Sequence, residues 1–185
     1  MTMNKPVGYL TNSLTGIEGE SGAAYNYILA GNGLFLRARN EHLAVTICLA
    51  LQEIRGLAPL GESIQFIHGK IPLYFLNLAL SVLSAKPDTE KYLAIVWDGQ
   101  YRLKEPPQEA GPGHVTYDVL PNTVLDIHSH TGSMPAIFSG IDDHDEKGFA
   151  VYAVAAELRN LFPTVAIRLG TYGYMLDIEK NDVFI

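Results

Sequence analysis

Turn-forming dipeptides set between short apolar runs constrain this chain more than any other feature. Asn32-Gly33 separates the runs at 25–30 and 34–38, and Asp98-Gly99 separates those at 92–97 and 101–103. Both dipeptides suit the backbone of tight hairpins, so four strands are predicted around them. Further runs at 63–68, 115–119, 123–127, 148–154, 165–169 and 172–176 also read as strands. The stretch 43–54 fits strand or helix, and its 44–49 portion is assigned to a strand. Helical period shows clearly once. Leu73, Leu76, Leu80 and Leu83 recur at three- and four-residue spacing after Pro72, which suits a first turn, and the pattern stops before Pro87. The expected fold is α/β (α+β), a mixed and mostly antiparallel sheet carrying one main helix.

The 185 residues are 48% hydrophobic, enough for one well-buried core with an N-terminal elaboration. Residues 1–24, rich in Gly, Ser, Thr and Asn, are expected to be a flexible segment. Residues 25–69 are expected to form a β-rich extension, and 70–185 the main domain. The net charge of −7, with no run of basic residues, argues against a nucleic-acid face. Gly31-x-Gly33 lacks the third glycine of a phosphate loop and is read as a hairpin turn. The longest apolar stretch, 71–85, is broken by Asn77 and Ser81 and is too short to cross a bilayer. With no secretory signal at the N-terminus, a cytoplasmic location is expected. Cys48, the one cysteine, lies in an apolar run and is expected to be buried and inert.

Chemistry is concentrated in one stretch, from Ile127-His128-Ser129-His130 to Ser139-Gly140-Ile141-Asp142-Asp143. Before it, Pro121-Asn122 signals a turn and Thr123-Val124-Leu125-Asp126-Ile127 a strand. On a strand, His128 and His130 project from the same face with Cα atoms about 6 to 7 Å apart, close enough to share one ion. Asp142 or Asp143 can return as a third ligand, and a fourth position left to water would make the centre catalytic. Asp126 falls on the histidines' side, either orienting an imidazole or facing water. Ser139 would lie at or near the N-cap of a starting helical turn. His42, His68, His114 and His144 show no spacing that pairs them; His144, near the site, either supports a ligand or is an exposed turn residue, the second reading being preferred. Other metal sites built on H-x-H do not fit. Gly132 and Ser133 replace the Asp and His of a metallo-β-lactamase, Met134 and Pro135 stand where a cupin has its Glu, and too little chain follows His130 for an amidohydrolase barrel.

His128-Ser129-His130 and Ser139-Gly140-Ile141-Asp142 resemble the two halves of the site motif of the JAB/MPN/Mov34 (JAMM) metalloenzymes, H-[ST]-H and S-x-x-D. The eight residues from Thr131 to Phe138 exceed the family's spacer of about seven, which leaves Asp142 and Asp143 both open; keeping S-x-x-D favours Asp142. The wider text, including Asp142-Asp143-His144-Asp145-Glu146 and Arg168-Leu169-Gly170, is similar to a bacterial branch, the protein A type of PRTRC (ParB-related, ThiF-related cassette) systems. The resemblance implies a JAB/MPN-like domain with cytidine-deaminase-like layering and a Zn²⁺ held by His128, His130 and Asp142. It also implies a general base opening the strand after the main helix, where Glu90 stands, and an oxyanion donor at Ser139. The implied activity is isopeptide or peptide hydrolysis at the tail of a ubiquitin-like protein, with ThiF/E1-like cassette proteins as further partners. Two other functions stay open: a non-catalytic MPN-type interaction module and a metal hydrolase of small peptides or amides.

Overall fold

The computed structural model describes residues 5–111 and 115–185, and the chain divides into two compact units, 1–69 and 70–185. In the sequence, Pro106, Pro107, Gly111, Pro112 and Gly113 read as a loop; Pro112, Gly113 and His114 lie outside the described residues.

The first unit is a six-stranded sheet of β1 (Val7–Ser13), β2 (Gly16–Glu20), β3 (Tyr25–Ala30), β4 (Gly33–Arg39), β5 (Leu43–Leu51) and β6 (Ser63–Phe66), in the order β2-β1-β3-β4-β5-β6. The β1–β3 pair is parallel and the others antiparallel. As expected, Ala30 faces Gly33 across a two-residue turn, and Gly33 has φ 151°, which a side chain rarely adopts. The flexible segment expected at 1–24 is corrected: residues 7–20 form the hairpin β1–β2. Its polar composition reflects exposure rather than disorder, since every residue of β2 is exposed while backbone pairing holds the hairpin. Asn12 on β1 is buried and donates from Nδ2 to the carbonyls of Ala58 and Pro59, at 3.0 and 3.1 Å, fixing the loop before β6. Cys48 is half-buried against Ile28, Ala30 and Phe35 rather than fully enclosed.

The second unit begins with α1 (Tyr74–Ser84). Its buried stripe is Phe75, Leu76, Ala79 and Leu83, turned from the expected one, with Leu73 left 37% exposed at the N-cap. Ahead of it, Ile71 exchanges backbone hydrogen bonds with Val183 and Ile185, tying the C-terminus to the helix start. Then come β7 (Tyr92–Trp97), β8 (Tyr101–Lys104), β9 (Gln108–Ala110), β10 (Val115–Tyr117), β11 (Thr123–Ser129), α2 (Gly140–Asp145), β12 (Phe149–Ala156), β13 (Thr164–Thr171), β14 (Tyr174–Asp177) and α3 (Lys180–Val183). The main sheet runs β14-β13-β12-β11-β7-β8; within it β11–β12 is parallel and the other described pairs are antiparallel. Strand β9, in the segment read as loop, pairs with β10 in a separate two-stranded sheet.

Alternation along these strands separates two chemistries. One face carries Leu93, Ile95, Leu125, Ile127, Val151, Ala153 and Leu169, all at most 1% exposed. That face is the apolar core. On the other, register places Asp126 beside Tyr152 and Tyr152 beside Arg168, with His128 one pleat further along β11. Among the described residues, no helix is long and apolar enough to cross a membrane.

Candidate metal centre

The last residues of β11 present both histidines, because pairing on each side keeps this strand extended to its end. His128 sits opposite Tyr92 on β7 and Val154 on β12, and the His130 N–H donates to the Ala155 carbonyl at 2.9 Å. Ser129, between them, points to the core side. It is fully buried, its N–H donates to the Lys91 carbonyl at 2.9 Å, and its Oγ accepts the Lys91 N–H at 3.0 Å. That exchange also fixes the chain next to Glu90.

The third member arrives on α2. Ser139 is the N-cap and Asp142 the N3 residue of a capping box, in which each side chain accepts the other's backbone N–H. The Ser139 N–H lies 2.5 Å from Asp142 Oδ2, and the Asp142 N–H lies 3.3 Å from Ser139 Oγ. The S-x-x-D half of the motif is thus a helix cap that orients its own acid. Asp142 Oδ1 is 3.1 Å from His128 Nε2, Oδ2 is 3.5 Å from His130 Nε2, and the two Nε2 atoms are 3.1 Å apart. These three side chains offer one donor atom each, all within 4.8 Å of one another. Two imidazole nitrogens and a carboxylate oxygen fit a divalent transition ion and are compatible with Zn²⁺.

Asp143 is turned away. Its Oδ1 meets Arg168 Nη1 at 2.5 Å, so the structure brings Asp142, and not its neighbour, to the histidines. Arg168, 4% exposed, also stacks on Phe138 at 3.9 Å and meets Glu146 Oε2 with Nε and Nη2 at 2.8 and 2.7 Å. Glu146 Oε1 lies 3.8 Å from His128 Nδ1.

Electrostatics follow from this packing. Burial opposes charge on Asp142, yet hydrogen bonds with His128, His130 and the Ser139 N–H hold its carboxyl well below the usual range. The same contact with Asp142 raises His130. Burial pushes Glu146 up to about 7 against the pull of Arg168, and pushes Asp126 up to about 6. Asp126 neither faces water nor touches an imidazole in the described contacts. It is 7% exposed and accepts the hydroxyl of Tyr92.

A cleft of about 470 Å³ opens over the histidines, lined in part by Glu90, Tyr117, Ser139 and Glu146. Glu90 precedes β7, with its N–H bonded to the Gly111 carbonyl at 2.9 Å. Its charge contributes to raising His130. Glu105, after β8, is paired with Lys91 at 2.8 Å instead. Tyr117 forms part of the wall and stacks on Tyr92 with ring centroids 3.5 Å apart.

The sequence assigns no role to Glu146 and Arg168, which enter only within the resemblance, or to Tyr117. Spacing of four residues from Asp142 would have placed Glu146 on the same side of α2, whereas Arg168 and Tyr117 arrive only through sheet register and stacking. Sequence spacing also missed the contact of His42 with His68, whose ring nitrogens lie 3.3 Å apart in the first unit. His144 is exposed, as expected. In comparisons with family models and with curated proteins, nothing matches this chain.

Proposed function

We propose that this chain is a metal-dependent hydrolase of amide or isopeptide bonds, of the JAB/MPN/Mov34 (JAMM) type, acting at the C-terminal tail of a ubiquitin-like protein. The observation that carries the reading is the convergence of His128, His130 and Asp142 at the floor of a cleft that Glu90 and Ser139 also line. A Zn²⁺ held there would supply Lewis acidity and lower the pKa of water toward neutrality.

The chain's own groups account for the rest. Glu90 takes a proton from the attacking water and returns it to the leaving amine. Ser139 Oγ accepts from the Asp142 N–H, which leaves its own proton to donate to the oxyanion that develops in the cleft. The capping box therefore serves both the acid that binds the ion and the hydroxyl that meets the substrate. The tail of a ubiquitin-like protein as substrate, and a PRTRC-like cassette as the setting, rest on the resemblance of 128–142 and 168–170 to that branch.

The test is zinc content followed by cleavage of a ubiquitin-like fusion. Glu90→Gln is expected to keep the zinc and lower kcat by roughly 100- to 10,000-fold, the usual size of a general-base contribution. Retained activity in that variant removes Glu90 from its role. Stoichiometric zinc with no cleavage of any tail favours an interaction module, and cleavage of short peptides alone favours a small-peptide hydrolase.

A further inference from the structure

Helix α2 and its C-cap bring one acid to each ring nitrogen of His128, and only one of the two belongs to the donor set. Asp142 Oδ1 stands 3.1 Å from Nε2, and Glu146 Oε1 stands 3.8 Å from Nδ1 on the opposite edge of the ring. The two acids are four residues apart, so one turn of α2 carries both. Glu146 caps that helix, its N–H donating to the Asp142 carbonyl at 2.9 Å.

Glu146 is 6% exposed, and its carboxylate is divided between two partners. The Arg168 Nε–H donates to Oε2 at 2.8 Å, leaving Oε1 on the side of the imidazole. Arg168 is itself held by Asp143 at 2.5 Å and by the ring of Phe138 at 3.9 Å. A buried pair of this kind is often no better for stability than apolar side chains of similar volume, so stability alone gives little reason for it here. Orientation of a ligand does. Metal-binding imidazoles commonly donate their second N–H to a carboxylate, which fixes tautomer and ring angle.

We infer that Glu146, clamped by Arg168, is a positioning residue for the metal centre: its carboxylate, 3.8 Å from Nδ1, favours the ring proton of His128 on that nitrogen and so keeps the Nε2 lone pair directed at the ion. Asp143 serves the same end indirectly through Arg168. The inference rests on the metal reading above but concerns residues outside the donor set.

The experiment uses the full chain, ¹⁵N-labelled, with zinc affinity measured by chelator competition and the His128 ring followed by NMR with one equivalent of zinc. In the wild type, the Nδ1 proton is expected to be present and slow to exchange. Glu146→Ala is expected to weaken zinc binding by roughly 10- to 100-fold and to make that proton exchange fast. Glu146→Gln, which keeps an acceptor oxygen, is expected to fall between the two. If the Ala variant does not fold, Glu146→Gln decides: weakening by about threefold or more supports the role, and less than that overturns it. Unchanged affinity and exchange in both variants of a zinc-binding wild type would remove this role and leave the donor set standing. A wild type that binds no zinc would remove both.

Discussion

Asp142 and Asp143 are chemically identical neighbours with opposite attachments. The capping box turns the first toward the histidines, and Arg168 draws the second outward, where its side chain is 62% exposed. Asp142→Asn is expected to lose stoichiometric zinc. Asp143→Asn is expected to retain it, at a stability cost of roughly 1 kcal/mol, because the acid is exposed although Arg168 is buried. Elemental analysis and denaturant melts separate the two outcomes. Asp126 gives a second test at this scale. Burial raises its carboxyl from an ordinary 3.8 to about 6, with the Tyr92 hydroxyl acting the other way. A raised folded-state value means the native protein binds more protons between those two pH values. Its stabilising contribution is therefore complete below about pH 4 and is lost as pH rises toward 6. The loss is at most roughly 3 kcal/mol, from about two units at 1.36 kcal/mol each. Urea melts without metal from pH 4 to 7 are expected to show a shallower fall in Asp126→Asn than in the wild type. Identical slopes would place the proton elsewhere.

Among the elements, β11 was legible because its β-branched run and turn signal carry local information, and both hairpins followed from Asn-Gly and Asp-Gly. Asn122, read as a turn, adopts φ 60°. What escaped was set by partners distant in sequence. The side of α1 that is buried depends on what packs against it, so the leucine spacing gave the helix but not its stripe. Strand β2 is exposed throughout, and composition alone equated its polarity with disorder. Arg168 and Tyr152 gain their meaning only when β13 and β12 are in register. Gly170 shows the same dependence. A Cβ there would lie 2.5 Å from Tyr152 Cε2, so the glycine makes room for a ring on the face that carries the histidines. Gly170→Ala is expected to cost about 1 to 3 kcal/mol in equilibrium unfolding, as overpacking does in a filled interior. A neutral substitution would mean that the ring shifts freely.

For the molecule as a whole, alternation makes the division of labour possible: one face of the main sheet is apolar and stabilising, the other holds acids, histidines and an arginine under a cleft. The three donors, Glu90 and Ser139 all come from residues 70–185, with the donors on β11, its extension and α2. The recognisable motif therefore reports a spatial site, although its halves are separated in sequence by the eight residues 131–138. An ion bound only to the native state at 100 times its Kd would add about 2.7 kcal/mol of stability, removable by chelation. The most direct measurement is the metal content of the full chain after exposure to zinc and removal of excess, beside a His128→Ala, His130→Ala double variant. One tightly held zinc per wild-type chain and none in the variant is the expected result. A folded wild type that retains no zinc, or a variant that retains as much, would contradict the metal centre on which the functional account stands.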